Sequence, residues 1–332
     1  MAVPTNTRET YGAIGIREDL SNIIYNISPM DTPFVNGCGR GTADNTLFEW
    51  QTDELKQAAA NMQIEGNDYT STAATEPRRL SNYTQISATQ VQSSGTAEAV
   101  DFAGRKSTQA YQLAKRAKEM KRDMEFMLLE GTVKSAGSSG AARNTAAYST
   151  WIGTNDGDTS PIIAASTGAG LTNNGSSGYP DGTTEAGTGG ADTAISLAMI
   201  NSVVARIWDL GGSPETILCK SDVKQTISGS SVGGSVVADP IGNNSGDKAI
   251  TAVNAVDVLV TDFGTFKVVP DRFMPATNCD FIDYDLWEIS YLRPFKTETL
   301  AKSGDSVKQL LIAEYGLKAK NGLGNGMIKS AK

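Results

Sequence analysis

Residues 256–275, VDVLVTDFGTFKVVPDRFMP, and 279–321, CDFIDYDLWEISYLRPFKTETLAKSGDSVKQLLIAEYGLKAKN, hold the densest run of strand signals in the chain. Trp287, Ile289 and Tyr291 alternate with Glu288 and Ser290, and Leu311, Ala313, Tyr315 and Leu317 oppose Glu314 and Lys318. A two-residue period puts each apolar set on one face, so both segments read as half-buried strands. The polar, glycine-containing link from Lys296 to Asp305 is short enough to join them as an antiparallel pair in one sheet.

Upstream of that pair the order is mixed. Ile200, Val203, Val204, Ile207 and Trp208 recur at helical spacing and stop at Gly211 and Gly212; a short strand, Thr216 to Cys219, and a helix opening at Ser221 follow. Helix, strand, helix and further strands from Val256 predict an α/β lobe around a sheet. The longest helix signal runs from Ser107 to Leu129, with Ala110, Leu113, Ala114, Ala117, Met120, Met124, Met127 and Leu128 as its stripe and Gly131 as its stop. At 1.5 Å per residue it spans about 35 Å. Lys115 to Glu119 and Lys121 to Glu125 are spaced to pair along it.

Between these blocks and the N-terminus, less of the chain can bury itself. Residues 1–16 are polar, and Leu20, Ile23, Ile24 and Ile27 then give a stripe too small to form a core, so this arm must dock elsewhere. Leu47, Phe48 and Trp50 read as one strand, and Tyr83, Gln85, Ile86, Ser87, Thr89 and Val91 as its return. The stretch from Leu55 to Leu80 has almost no large apolar side chains, and long loops of this kind are usually functional. Residues 131–192 are rich in Gly, Ser, Thr and Asn, which predicts either a linker or a loop-rich insertion.

Composition removes several classes of function. The 332 residues contain no histidine, which excludes Ser-His and Cys-His nucleophile pairs and the commonest zinc ligand. Cys38, Cys219 and Cys279 are far apart with no CxxC spacing, so neither a disulfide framework nor a zinc site is expected. A net charge of −8 argues against broad phosphate neutralisation. No apolar run approaches the ~20 residues a bilayer demands and no leader pattern opens the chain, so a soluble protein made in the cytosol is expected. Asp156 with Asp158, and Asp283 with Asp285, are the close acid pairs open to carboxylate chemistry, but the first sits among turn formers and the second begins a strand. The runs GNNSGDK (242–248) and Gly322, Gly324, Gly326 lack phosphate-loop spacing and read as flexible loop and tail. No catalytic, cofactor or metal site is assigned.

The segments FGTFKVVPDRFMP (263–275), LWEISYLRPFKTETLAKSGDSVK (286–308) and AEYGLKAKN (313–321) resemble, in this order, the C-terminal part of tailed-phage major head proteins. EDLSNIIYNISPMDTPF (18–34) followed by TLFEWQTDEL (46–55) resembles the start of the same family. The resemblance implies the α+β Johnson fold, shared with herpesvirus capsid floors. It divides the chain into an N-terminal arm (1–40), an extended loop or long β-hairpin (41–97), a peripheral lobe whose long spine helix lies in 98–131, a Gly/Ser/Thr-rich insertion or set of axial loops (132–192), an axial α/β lobe (193–280), and C-terminal strands that return to the peripheral lobe before a flexible tail (281–332).

It implies a structural function: hexamers and pentamers of one chain tile an icosahedral head around double-stranded DNA, with no enzyme activity and no cofactor. Expected inter-subunit contacts are Leu20, Ile23 and Ile24 in the arm, and Phe48, Trp50, Tyr83 and Ile86 at the hairpin base. Met120, Met124 and Met127 are the expected core stripe of the spine helix, and Lys115, Lys118 and Arg122 its expected DNA-facing side, in weak nonspecific contact. Portal and scaffolding or minor coat proteins are expected partners and a membrane is not; the setting is the virion, assembled in the host bacterial cytoplasm. The alternatives are an encapsulin-like shell of the same fold, a carboxylate-dependent enzyme, and a basic-helix DNA binder.

Overall fold

The computed structural model describes residues 31–53, 55, 58–66, 68, 76–102, 107–130, 132–173, 175, 179–187, 189–228, 258–302 and 304–332. In chain order the elements are α1 (Pro33–Gly37), β1 (Gly39–Thr42), β2 (Leu47–Thr52), β3 (Arg78–Tyr83), β4 (Gln85–Ser94), α2 (Gly95–Ala99), α3 (Thr108–Leu129), β5 (Ile162–Ala164), α4 (Leu197–Asp209), β6 (Thr216–Cys219), α5 (Ser221–Ser228), β7 (Val258–Thr261), β8 (Gly264–Pro270), β9 (Asn278–Ile282), β10 (Trp287–Thr299), β11 (Ser306–Ala319) and β12 (Gly326–Lys329).

The antiparallel pair read from the sequence is β10 with β11, running from Trp287 opposite Ala319 to Thr299 opposite Gln309. It is longer than expected: Lys296 to Thr299 are strand, not link, because β4 continues the ladder along the outer edge of β11 as far as Ser306. With β1 parallel to β10, the sheet order is β1-β10-β11-β4. Trp287, Ile289, Leu311, Ala313, Tyr315 and Leu317 are buried as the alternation requires. Ser290 and Glu314, assigned to the wet face, are buried too. The β2–β3 hairpin covers that second face: Ser290 lies opposite Gly316, and a Cβ at Gly316 would run into the Phe48 ring. The return strand of the hairpin is therefore Arg78–Tyr83, whereas Gln85–Val91 belongs to β4 in the larger sheet.

A second sheet has the order β5-β12-β9-β6-β8-β7. Period-two alternation turns Ile163, Ile217, Cys219, Cys279, Phe281 and Ile328 toward α4 and α5, while Ile162, Leu218, Ile282 and Met327 face the other way. That other face shares one core with the four-stranded sheet and with Met120, Met124, Leu128 and Leu129 of α3. The segment around residues 145–152, in the part of the chain the sequence left unplaced, fills the space between them. Tyr148 lies 4.8 Å from Trp287, and Trp151 5.3 Å from Trp50, measured between ring centroids. Aromatic pairs at such separations add about 0.5–1.5 kcal/mol beyond the area they bury.

Three expectations are corrected here. Gly322, Gly324 and Gly326 are not a flexible tail: β12 sits between β5 and β9, inside the sheet. The glycines are there for close approach, since a Cβ at Gly322 would strike the Trp151 carbonyl and one at Gly326 would meet Ile207, Val203 and the Pro161 carbonyl. Trp208 follows the buried Ile207 by one helical step, leaves the stripe, and is 60% exposed. Glu125 does not pair with Lys121; it is fully buried, and Lys121 Nζ donates to Asn36 Oδ1 at 2.6 Å.

The long helix starts and stops where the residues require. Ser107 accepts the Ala110 N–H, and Glu130 is already extended, so the helix ends before Gly131, which lies outside the described residues. Ala110 and Ala114 are exposed. Leu113 and Ala117 pack half-buried against the core, and Met120 is the first fully buried residue of the stripe.

Candidate assembly surface

The β2–β3 hairpin has a rigid root and an unburied excursion, and each property follows from named residues. At the root, Trp50 and Leu80 are buried, and the Phe48 and Trp50 rings stack at 5.7 Å. Asn82, fully buried, donates to Thr145 Oγ1 at 2.9 Å and to the Leu317 carbonyl at 2.6 Å, and accepts the Ala146 N–H at 2.9 Å. One amide side chain therefore ties the hairpin to β11 and to the segment between the sheets. Lys134 Nζ donates to the Ser81 carbonyl and stands 5.9 Å from the Trp151 ring centre; burial lowers its pKa. Arg78 lies over the Tyr179 ring, and Arg79 pairs with Glu49.

Glu314 locks the same root from below. Its carboxylate is 3% exposed and accepts from Arg143 Nη2 at 2.6 Å, Arg293 Nε at 2.8 Å and Thr84 Oγ1 at 2.9 Å. Charge-assisted bonds to two guanidinium groups satisfy a carboxylate that would otherwise be costly to bury. The Thr84 N–H donates to the Thr46 carbonyl and closes the hairpin against β4.

Beyond Thr52 the chain leaves the body. Between β2 and β3 no described residue joins a strand or helix, and Leu55, Met62 and Ile64 are 99%, 88% and 79% exposed. The excursion is polar overall, and these large apolar side chains stand uncovered in the single chain.

The residues expected from the sequence are distributed unevenly. Leu20, Ile23 and Ile24 lie outside the described residues. Trp50 is consumed inside its own chain, Phe48 and Tyr83 are half-buried, and Ile86 is half-exposed on β4, away from the hairpin. Met120 and Met124 are core, and Met127 is half-buried. On the outer face of α3, Lys115 and Lys118 are exposed, with Lys115 3.9 Å and Arg116 2.7 Å from Glu119. Arg122 instead packs over the Phe273 ring at 5.5 Å. Sequence reading singled out this stretch without naming the exposed Leu55, Met62 and Ile64 within it; the available signal was apolar residues inside a segment too polar to fold on itself.

The acid pairs open to catalysis have local duties. Asp156 accepts the Asp158 N–H in an exposed turn, and Asp283 accepts the Asp285 N–H at the turn before β10. Among the described residues, no three or more His, Cys, Asp or Glu side chains are grouped so as to hold a metal ion.

The family model described as SU10 major capsid protein matches residues 3–332. The major capsid protein of Escherichia phage Phieco32 is 27% identical, covering 97% of this chain and 96% of its own. Among solved structures, the cyanophage A-1(L) capsid asymmetric unit is similar at a TM-score of 0.64 and 10% identity, covering 95% of this chain and 97% of that one. The capsid of a native GTA particle is similar at 0.63 and 12%, covering 97% and 98%.

Proposed function

Because the chain belongs to the SU10 major capsid protein family, and is thus a major capsid protein of a phage head, we propose a way in which copies of it hold together. They form hexamers and pentamers of an icosahedral shell, and the excursion between β2 and β3 lies across an adjacent copy. The observation that carries this reading is the contrast between a root fixed by Asn82 and Glu314 and an excursion whose Leu55, Met62 and Ile64 are bare. Each contact can be weak, because a closed lattice raises effective concentration. Imaging the purified protein tests it: rings and closed shells are expected, and persistence as single copies at high concentration would refute it.

We also propose that the exposed face of α3 looks toward packaged double-stranded DNA, with Lys115 and Lys118 in weak, sequence-independent contact. Charge reversal at both should lower DNA retention at low salt without stopping assembly; unchanged retention across a salt series would refute this. Portal and scaffolding or minor coat proteins complete the head, assembly takes place in the host bacterial cytoplasm, and the chain has no catalytic role.

A further inference from the structure

The fold brings together two thiols that the sequence keeps some sixty residues apart. Cys219 ends β6, Cys279 lies in β9, and the two are Cα partners across that antiparallel pair. Both are free thiols and fully buried. They share one core with Val223 and Ile227 of α5, on the same face of the six-stranded sheet.

Backbone hydrogen bonds decide which kind of pair this is. A residue in a strand turns its N–H and C=O to the same neighbour, and successive residues alternate. The Glu215 and Cys219 carbonyls accept the Lys267 and Asp271 N–H groups, each at 2.9 Å, so Cys219 is turned to β8. On the other strand, the carbonyl of Thr277, just before β9, accepts the Ala331 N–H at 2.8 Å, which turns Thr277 and Cys279 to β12. Cys219 and Cys279 therefore face each other as a non-hydrogen-bonded pair. In such pairs the Cα atoms are about 4.5 Å apart and the side chains closer than in the bonded kind. Disulfides span about 4.4–6.8 Å between Cα atoms, so an S–S bond fits the strands where they stand.

We propose that Cys219 and Cys279 are an oxidation site, a dithiol that peroxide converts into an intrachain disulfide stapling β6 to β9. One thiol, as thiolate, attacks a peroxide oxygen; the O–O bond breaks, water leaves, and a sulfenic acid remains. The second thiol attacks that sulfur, the S–O bond breaks, the S–S bond forms and a second water leaves. The two thiols lose two electrons, hydrogen peroxide gains them, and both thiol protons end in water.

Burial sets the pace of this step. It pushes Cys219 up to about 12 and Cys279 upward as well, so thiolate is scarce. Access runs past α5, a helix of eight residues with only Val223 and Ile227 buried and too short to hold without that packing. Opening of α5 admits the oxidant. Its return closes the sulfenic acid against its partner and away from more peroxide, which favours the disulfide over further oxidation. Cys38 packs in the other core and serves as an internal control.

The test exposes the purified full chain to hydrogen peroxide for hours, quenches it, unfolds it and alkylates the remaining thiols. Of the three cysteines, only Cys38 should then take the label, and mass spectrometry should find peptides holding Cys219 and Cys279 joined until dithiothreitol separates them. C38S should cross-link at the wild-type rate. The stapled chain should melt about 5 °C higher, because the bond closes a long loop. Labelling of all three thiols after treatment would overturn the proposal, as would Cys219 and Cys279 carried separately to sulfinic acids, or a bond from either to Cys38. An unchanged melting temperature in the cross-linked chain would overturn the staple. The decisive readouts use the wild type, so they stand even if C38S fails to fold.

Discussion

Replacing the three bare side chains of the excursion, as Leu55→Ser, Met62→Gln and Ile64→Thr together, separates folding from assembly. These residues are 99%, 88% and 79% exposed in the single chain, so nearly all of their apolar surface remains to be buried. Complete burial of such side chains is worth about 1.5–3 kcal/mol each, roughly 5 kcal/mol or more for the three. Ordering costs about 1–2 kcal/mol per residue fixed, so these three side chains offset the fixing of only a few residues, and docking without them is unfavourable. Removing roughly 5 kcal/mol from a pairwise contact lowers its association constant by more than three orders of magnitude, and every copy in a shell would lose it. The folded chain loses nothing, because exposed substitutions away from caps and cores change stability by about 0.5 kcal/mol or less. The assay pairs thermal unfolding of the free chain with light scattering and imaging of assembly across a concentration series. An unchanged melting temperature with assembly abolished is expected. Assembly at the wild-type threshold would refute the reasoning, and so would a large fall in melting temperature, which would mean the excursion is part of the fold.

Glu314→Ala should cost about 2–3 kcal/mol in denaturant unfolding, less than the ~3–5 kcal/mol of a fully buried broken pair, because Arg143 and Arg293 are 26% and 50% exposed and can turn to water. A loss under about 0.5 kcal/mol would contradict the assigned role. For Glu125 the sign follows from linkage: its folded value lies above the ordinary 4.5, near 8, so between those values the native state holds a proton that the unfolded chain has released. Stability should then fall with rising pH across that window, by about 1.4 kcal/mol per unit for this group, and E125Q should remove that share of the slope. Equal slopes for the two proteins would rule it out.

Legibility in the sequence tracked the range of the interaction. Period-two alternation gave β10 and β11, and helical spacing with the Gly131 stop gave α3, because both patterns are local. Glu125 and Glu314 sit at positions that the same periodicities assign to water; what buries them is the arrival of Phe34 and Val35, or of Arg143 and Thr84, from far along the chain. Asn82 was invisible for the same reason. Gly322 and Gly326 read as tail because glycine signals mobility and close packing equally well, and only the neighbours Trp151, Val203 and Ile207 decide between them. The segment around Tyr148 and Trp151 looked like loop by composition, although its few aromatic residues fill the space between the sheets. The family likeness supplied the shell; the residues alone supplied α3, α4, α5, β6, β10, β11 and the excursion that cannot bury itself, but not β1, β5 or β12.

Oxidative footprinting of Met62 in the free chain and in assembled shells addresses the shared-burial idea most directly. With the side chain 88% exposed in the single copy, peroxide should oxidise it readily there. In shells, oxidation should slow by an order of magnitude or more as a neighbouring copy covers it. Equal rates in both states would show that sister subunits do not shelter the excursion.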